Sequence, residues 1–253
     1  MSNLRNIKWL LGALKSFIFS HNTVKEIRNL KDSKKGRSII LAGNAPSLRN
    51  FDISIINKTD IDLATVNCGY RIFKDFKSSY HFVSDKDCYE KYKNEILSAN
   101  TERIVLRENF FKNKKTNDKK IILIPYRKGG VIKRGYYKDI SLGIGNDSSV
   151  LIFATQVLAY LGYSQIYIIG CDLSYNEVYK YAYEMTEKDL EHEKNEITIA
   201  KRKDMIRTNL EFKILRTRLE EIKIKIYNAG IGGNLNSLKR IKLEDALKVE
   251  KRV

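Results

Sequence analysis

Polar residues follow apolar runs at five places in this 253-residue chain. Apolar runs of this length predict buried strands, and the carboxyl ends of parallel strands meet at one edge of a sheet, where ligands collect. Amide, hydroxyl and carboxylate groups at such an edge can bind polar ligands or move protons. Each residue alone also suits a cap or a turn, but together they predict a site: Gly43-Asn44, Asn67, Ser84-Asp85, Asp172 and Asn228.

The first of these places combines a strand, a tight turn and a helix start. The apolar run 38–42 ends at Gly43, and Pro46 has the fixed φ of a first helical turn. This arrangement points backbone N–H groups at a phosphate, and Asn44 adds a side chain that both donates and accepts. The segment lacks the further glycines of the dinucleotide fingerprint and is not a P-loop. It predicts either a nucleotide-binding turn or a plain connection.

Two further patterns concern metal and redox chemistry. The spacing Asp85-Lys86-Asp87 is one that can hold a divalent metal on a sugar diphosphate, although so short a pattern also arises by chance. Cys68, Cys88 and Cys171 lack the spacing of metal ligands. Their odd number and the lack of a secretory signal favour a reducing cytosol, and we expect a cytoplasmic location.

The charge balance favours anionic partners. The chain has 47 Lys and Arg against 30 Asp and Glu, a formal net charge of +17. Nucleotide-sugars, anionic lipid surfaces and nucleic acid all fit such an excess, and so does the plain alternative of a Lys-rich composition from an AT-rich genome. No basic motif is interleaved with aromatic residues, so we expect no nucleic-acid partner.

Residues 1–36 differ from the rest and predict a basic amphipathic helix. Residues 1–37 carry nine Lys and Arg against Glu26 and Asp32. Such a helix can lie at an anionic membrane surface, which would place the protein at the inner face of the membrane. It can also pack on its own domain or on a second copy in a homo-oligomer. The apolar positions at helical spacing are Ile7, Leu10, Leu11, Leu14, Phe17 and Ile18.

Residues 37–253 alternate between strand and helix patterns. This alternation predicts one α/β domain, a Rossmann-like, mainly parallel sheet with helices on both faces. Ser148 and Ser149 stand at the start of the strongest helix, where hydroxyl groups suit an anion. Further strands are expected at 62–67, 80–85, 103–107, 120–125, 165–171 and 224–228, and a charged helix at 198–222.

Residues 174–197 have the composition of a lid. They contain four tyrosines and an acidic run, with almost no apolar side chains after Met185. We expect this segment to be mobile without ligand and to close when a ligand binds. It includes His192, whose unperturbed pKa near neutrality suits a general base. The alternative is a solvated histidine on a charged loop.

Two segments, in the same order along the chain, resemble segments of a known family. Residues 43–48, Gly-Asn-Ala-Pro-Ser-Leu, resemble the opening Gly-Asn-Gly-Pro-Ser-Leu of bacterial lipooligosaccharide sialyltransferases. Residues 161–172 resemble that family's Leu-Gly-Tyr-Lys-Glu-Ile-Tyr-Leu-Ser-Gly-Ile-Asp. The chain is also similar to a wider group that includes archaeal 6-hydroxymethylpterin pyrophosphokinases. The resemblance implies a donor activated by cytidine monophosphate (CMP), used without metal or other cofactor.

The resemblance also implies roles for individual residues. Tyr175 and Tyr181 would stabilise the leaving phosphate, and His192 would be the general base. Ser84 stands where the family has an asparagine, and Val150 where it has a glycine. Counting back from the last strand puts the family's histidine near Ile206, so His192 fits only if the lid is rearranged. The implied nucleotide contacts are Gly43, Asn44, Ala45, Asn67, Ser84, Ser148, Ser149 and Asp172.

The leading hypothesis is an inverting glycosyltransferase. It would move a nonulosonic acid or Kdo-like sugar from a CMP-activated donor to a glycan or glycolipid acceptor of the bacterial surface. The alternative is an ATP- and Mg²⁺-dependent phosphotransferase or pyrophosphokinase, with Asp85, Asp87 and Asp172 as metal ligands. A non-catalytic nucleic-acid or membrane-binding module is a third possibility, which rests on charge alone.

Overall fold

A single sheet of eight parallel strands organises the molecule, in the order β5-β4-β3-β2-β1-β6-β7-β8. The computed structural model describes residues 23–111, 116–127, 129–145, 147–174, 180–194 and 198–250. The expected α/β fold is confirmed, and the sheet is parallel throughout. The strands are β1 Ser38–Ala42, β2 Asp62–Val66, β3 Ser78–Val83, β4 Thr101–Arg107, β5 Ile121–Ile124, β6 Gln165–Ile169, β7 Lys225–Asn228 and β8 Lys239–Arg240.

Helices cover both faces of this sheet. Because side chains alternate along a strand, Ile39 and Leu41 of β1 face one apolar cluster, while Ile40 and Ala42 face another. The first cluster contains residues of α1, α4 and α6, the second contains residues of α7, and α2 covers β3 and β4 in a third. The helices are α1 (residues 23–29), α2 Lys86–Ser98, α3 Val131–Arg134, α4 Val150–Tyr160, α5 Glu187–Lys194, α6 Thr198–Glu220 and α7 Leu243–Glu250.

Helix α4 is the apolar centre of the fold. All its residues from Leu151 to Tyr160 are buried, which explains the strong helical pattern of the sequence. Ser149 is its N-cap, since the Ser149 hydroxyl accepts a hydrogen bond from the backbone N–H of Leu151 at 3.2 Å. Gly162 follows the helix with φ 93° and lets the chain turn into β6.

The described part of the predicted N-terminal segment packs on this centre. Ile27 of α1 is 1% exposed and belongs to the main core cluster. The backbone N–H groups of Asp32 and Lys34 donate to the carbonyls of Tyr160 and Leu161. Residues 1–22, with the predicted amphipathic positions, lie outside the described residues. Within the described ranges, no helix has both the length and the apolar composition needed to cross a membrane.

Candidate functional site

Four of the five predicted polar places lie side by side. Strands β3, β2, β1 and β6 are neighbours, and they end just before Ser84, Asn67, Gly43-Asn44 and Asp172. Asn228, at the end of β7, is 2% exposed and serves the structure. Its amide nitrogen donates to the carbonyl of Leu235 at 3.0 Å, and its amide oxygen accepts from the N–H of Gly230 at 3.0 Å. The candidate site is therefore the crevice beyond β1, β2, β3 and β6.

Two buried amide oxygens mark this crevice. Neither Asn44 Oδ1 nor Asn67 Oδ1 has a hydrogen-bond partner in the described part of the chain. The turns that carry them touch, because a Cβ added at Gly69 would lie 2.8 Å from Asn44 Oδ1. A buried acceptor without a hydrogen bond destabilises the folded protein by about 1–3 kcal/mol. A ligand that donates a hydrogen bond to such an oxygen removes this penalty when it binds. These two asparagines are therefore the candidate binding residues of the crevice.

The turn after β1 leads into a helix at Pro46, as predicted, but two of its backbone N–H groups already have partners. Residues Pro46–Asn50 form a 3₁₀ helix. The N–H of Gly43 donates to Ile169, and the N–H of Ala45 donates to Gly170. The backbone N–H groups of Gly43 and Ala45 are therefore not free to bind a phosphate, because they donate to carbonyls at the end of β6. The group of this turn that has no hydrogen-bond partner among the described residues is the amide oxygen of Asn44.

Asp172 holds this turn from the neighbouring strand. Its Oδ2 accepts from the backbone N–H of Ser47 at 3.0 Å, and its Oδ1 accepts from the Ser47 hydroxyl at 2.5 Å. Both carboxylate oxygens are therefore engaged within the protein. Asp172 lies at the predicted strand end, and its hydrogen bonds to Ser47 fix the turn that carries Asn44.

The hydroxyl groups at the start of α4 are also engaged. Ser149 caps the helix, as described above. The backbone N–H and the hydroxyl of Ser148 donate to Oε2 of Glu211 at 2.9 and 2.6 Å. The Ser148 hydroxyl also lies 2.7 Å from the Thr208 hydroxyl. A phosphate at this helix start would thus meet the Ser149 hydroxyl more readily than that of Ser148.

Part of the predicted lid lies directly on the Asn44 turn. The N–H of Ala182 donates to the backbone carbonyl of Asn44 at 2.9 Å. Tyr181 stacks on Tyr183 with ring centroids 5.0 Å apart, and Arg49 donates to the carbonyls of both residues at 3.3 Å. These contacts, together with the packing of Ala182 and Tyr183 on two apolar clusters, hold residues 181–183 on the turn. The composition of the segment did not reveal them. Tyr175 lies outside the described residues.

The described residues do not define a general base. His192 belongs to α5, and its side chain lies outside the described part of the chain. The position that counting assigned to the family's histidine, Ile206, is 73% exposed on α6. Asp85, an alternative base, caps α2 by accepting from the N–H of Cys88 at 2.9 Å. Among the described residues, no three metal-ligating side chains cluster as a metal site.

His81 on β3, near the Asn67 turn, is a structural residue. It is completely buried, and its Nδ1 lies 2.8 Å from the Thr65 hydroxyl. Burial lowers the pKa of the His81 imidazole to about 4, so it is neutral at pH 7. It therefore serves the interior of the sheet rather than proton transfer.

Asp147 carries a raised pKa next to the start of α4. Burial raises the pKa of its carboxyl to about 6, although the N–H of Val131 and the amide of Gln156 donate to it at 3.0 and 2.8 Å. The folded state therefore binds a proton that the unfolded state has already released between about pH 4 and pH 6. The free energy of unfolding falls as the pH rises through this window, and the penalty is complete above it.

Asp147→Asn should remove this pH dependence. The variant carries no charge to bury, and its new N–H₂ group can donate to Gln156 Oε1, which has no partner among the described residues, once that amide flips. We expect the variant to gain up to about 3 kcal/mol of unfolding free energy at pH 7 relative to pH 4, compared with the wild type. Urea unfolding from pH 4 to pH 7 measures this, with the exposed Asp75→Asn as control. An unchanged slope in Asp147→Asn would contradict the prediction.

Comparison with known proteins places this fold. No protein-family model matches the chain, and no curated protein matches its sequence. The MAf glycosyltransferase from Magnetospirillum magneticum AMB-1 has a similar structure, with a TM-score of 0.53 at 12% identity over 89% of this chain. The match spans 39% of the length of MAf.

Two structures of a sialyltransferase are also similar. A point mutant of the α-2,3/8-sialyltransferase CstII gives a TM-score of 0.51 at 22% identity, and another, solved in complex with CMP, gives 0.53 at 21%. Each match covers 81% of this chain and 86% of the CstII chain. The chain thus has an α/β fold like that of these glycosyltransferases, a single parallel sheet surrounded by helices.

Proposed function

We propose that this protein is an inverting glycosyltransferase that uses a CMP-activated nonulosonic acid or Kdo-like donor. The observation that carries the proposal is the pair of unpartnered amide oxygens of Asn44 and Asn67 in the crevice. The cytosine amino group and the ribose hydroxyls of CMP are hydrogen-bond donors that match such oxygens. The structural similarity to glycosyltransferases, one of them in complex with CMP, supports the same class of donor.

The remaining predicted residues take their parts around this anchor. Ser149 accepts from the helix backbone, so its hydroxyl proton can be donated to the phosphate. Ser84 and Asp172 line the ends of the flanking strands, and Asp172 keeps the Asn44 turn in place. Tyr175 and Tyr181 would donate to the phosphate as negative charge develops on it.

The reaction needs one base and one leaving group. The acceptor hydroxyl oxygen forms a bond to the anomeric carbon from the face opposite the phosphate, and the bond to the phosphate oxygen breaks with its electron pair leaving on CMP. His192 would take the hydroxyl proton, since a neutral imidazole is a base at neutral pH. Attack from the opposite face inverts the configuration. The chain requires no cofactor for these steps.

Charge suggests where the acceptor is found. The net charge of +17 favours an anionic surface, and a glycan or glycolipid of the bacterial envelope at the inner face of the membrane fits this preference. The phosphotransferase alternative loses support, because Asp85 caps a helix and Asp172 is bonded to Ser47 rather than joining Asp85 in a cluster.

Asn44→Ala should reduce the thermal stabilisation that CMP gives the wild type by about half or more. A ligand at 100 times its Kd stabilises the folded state by about 2.7 kcal/mol, and we expect loss of the amide to weaken CMP at least about tenfold. Differential scanning fluorimetry with CMP measures the change, and the exposed Asn50→Ala, in the same turn, is the matched control. EDTA should not alter the CMP effect. An equal CMP shift in Asn44→Ala, or a shift only with ATP and Mg²⁺, would overturn the proposal.

A further inference from the structure

A partly buried arginine ends the turn that begins with Asn67. Arg71 is the last residue of the 3₁₀ helix Asn67–Arg71, and its guanidinium lies 5.7, 5.0 and 5.3 Å from the ring centroids of Tyr70, Tyr92 and Tyr183. Aromatic faces attract a guanidinium, and more strongly when water is excluded. Tyr70 belongs to the Asn67 turn and Tyr92 to α2, whereas Tyr183 belongs to the predicted lid.

The partner of this arginine is a carboxylate of the lid. Arg71 Nη1 lies 2.7 Å from Asp189 Oδ2, although 118 residues separate them. Asp189 is 4% exposed, and it also accepts from the Tyr92 hydroxyl and from the backbone N–H and hydroxyl of Thr186. Thr186 in turn accepts from the N–H of Asp189, which makes a reciprocal cap at the start of α5. We call Arg71, Tyr92, Thr186 and Asp189 the clasp.

The charge inside the clasp is stable at neutral pH. Burial opposes ionisation of Asp189, but the hydrogen bonds from Tyr92 and Thr186 and the Arg71 ion pair outweigh it and lower the pKa to about 2. Loss of Arg71 would leave the Asp189 carboxylate almost without water, because Asp189 is 4% exposed. The ionised Asp189 therefore holds α5 to the Asn67 turn at neutral pH.

The clasp fixes one end of a strap whose other end lies on the Asn44 turn. Residues 181–183 contact that turn through the N–H of Ala182 and through Arg49. The segment 181–189 thus joins the two turns that carry the unpartnered amide oxygens. Without the Asp189 contact, residues 181–183 would keep the contacts with Asn44 and Arg49 and the packing of Ala182 and Tyr183 on the apolar clusters, but α5 would lose its ion pair to the Asn67 turn.

We propose that Asp189 is a positioning residue that, through Arg71, holds residues 180–190 over the nucleotide crevice and thereby sets how tightly a CMP-activated donor is bound. The inference rests on the proposed function for its ligand. The predicted lid closes on a ligand, whereas the Arg71–Asp189 ion pair keeps the segment in place without one.

Asp189→Asn tests the clasp, because it keeps the size of the side chain and removes its charge. Hydrogen exchange of the backbone amides of residues 180–190, measured without ligand, should become at least tenfold faster. The CMP dissociation constant, measured by calorimetry, should rise at least tenfold. Glu95→Gln is the matched control: Glu95 pairs with the same guanidinium at 3.0 Å, but its side chain is 46% exposed. The control should change both values less than threefold.

Asn44→Ala separates this inference from the proposed function. That variant should lose CMP affinity while the exchange of residues 180–190 without ligand stays as in the wild type. Unchanged exchange in Asp189→Asn would overturn the clasp, and faster exchange with unchanged CMP affinity would overturn the positioning role. If the wild type does not bind CMP, the proposed function fails, and the exchange measurement alone decides whether Asp189 holds the segment.

Tyr92→Phe covers the case in which Asp189→Asn does not fold. It removes one hydrogen bond to Asp189 and leaves both charges and the ring in place. Exchange of residues 180–190 should become faster by a smaller factor than expected for Asp189→Asn. No change in exchange in this variant would overturn the clasp as well.

Discussion

Alanine in place of His192 is expected to slow sugar transfer by roughly 10²–10⁴-fold while CMP affinity changes little. The imidazole would accept the proton of the acceptor hydroxyl, a step that nucleotide binding does not require. The backbone of α5 places His192 one turn after Asp189, which binds beside the Asn67 turn. Initial rates of CMP release from CMP-N-acetylneuraminic acid, with an acceptor glycan that the wild type uses, measure the effect.

The neighbouring carboxylate supplies the control for His192→Ala. Glu193→Gln keeps the imidazole, and we expect a rate within about tenfold of the wild type, with a pH profile displaced to lower pH because a nearby carboxylate raises a histidine pKa. A near-normal rate in His192→Ala would remove His192 from the mechanism. The base would then be sought among Asp172, Asp85 or a group on the acceptor side.

Gly43→Ala is expected to destabilise the fold through a steric clash at the site. An added Cβ would lie 2.2 Å from the carbonyl oxygen of Gly170 and 3.3 Å from Leu151 Cδ1. The Gly170 carbonyl cannot easily move, because it accepts from the N–H of Ala45 and because Gly170 has φ 61°. We expect a loss of about 2–4 kcal/mol of unfolding free energy, near the upper end of what overpacking costs.

Urea unfolding measures the cost of Gly43→Ala, and CMP binding shows its effect on the crevice. Gly232→Ala is the control, since Gly232 has φ 81° and no atom within 4 Å of an added Cβ. That control should lose only the cost of a left-handed residue, about 1 kcal/mol. If Gly43→Ala costs no more than Gly232→Ala, the close approach between the ends of β1 and β6 does not constrain the turn.

Much of the fold could be predicted because its signals are local. The apolar runs of β1, β2, β3 and β6 are each followed by a polar residue, and the carboxyl ends of parallel strands lie at the same edge of a sheet. The Ser149 cap and the apolar pattern of α4 depend on residues within two or three turns of one another. The two-residue strand β8 was not predicted, because so short a segment carries no pattern.

The details of the site depended on contacts that sequence neighbours do not reveal. Pro46 predicted a helix start, and a 3₁₀ helix does begin there. The bonds of Gly43 and Ala45 to the end of β6, more than 120 residues later, could not be seen in the sequence. The hydroxyl of Ser148 was expected to bind an anion, but it donates a hydrogen bond to Glu211, 63 residues later in the chain. Thr186 and Asp189 have the spacing of a helix cap and could have been recognised as one.

The sequence by itself determined the parallel sheet, the edge at which its polar residues gather and the positions of Asn44 and Asn67, because strand periodicity and strand ends are local properties. Only the tertiary structure decided which of those residues remain available to a ligand. Availability depends on whether a distant residue already bonds to the same group, as Asp172 does for Ser47. The contact between Asp189 and Arg71 also depends on the tertiary structure, because 118 residues separate the two in the sequence.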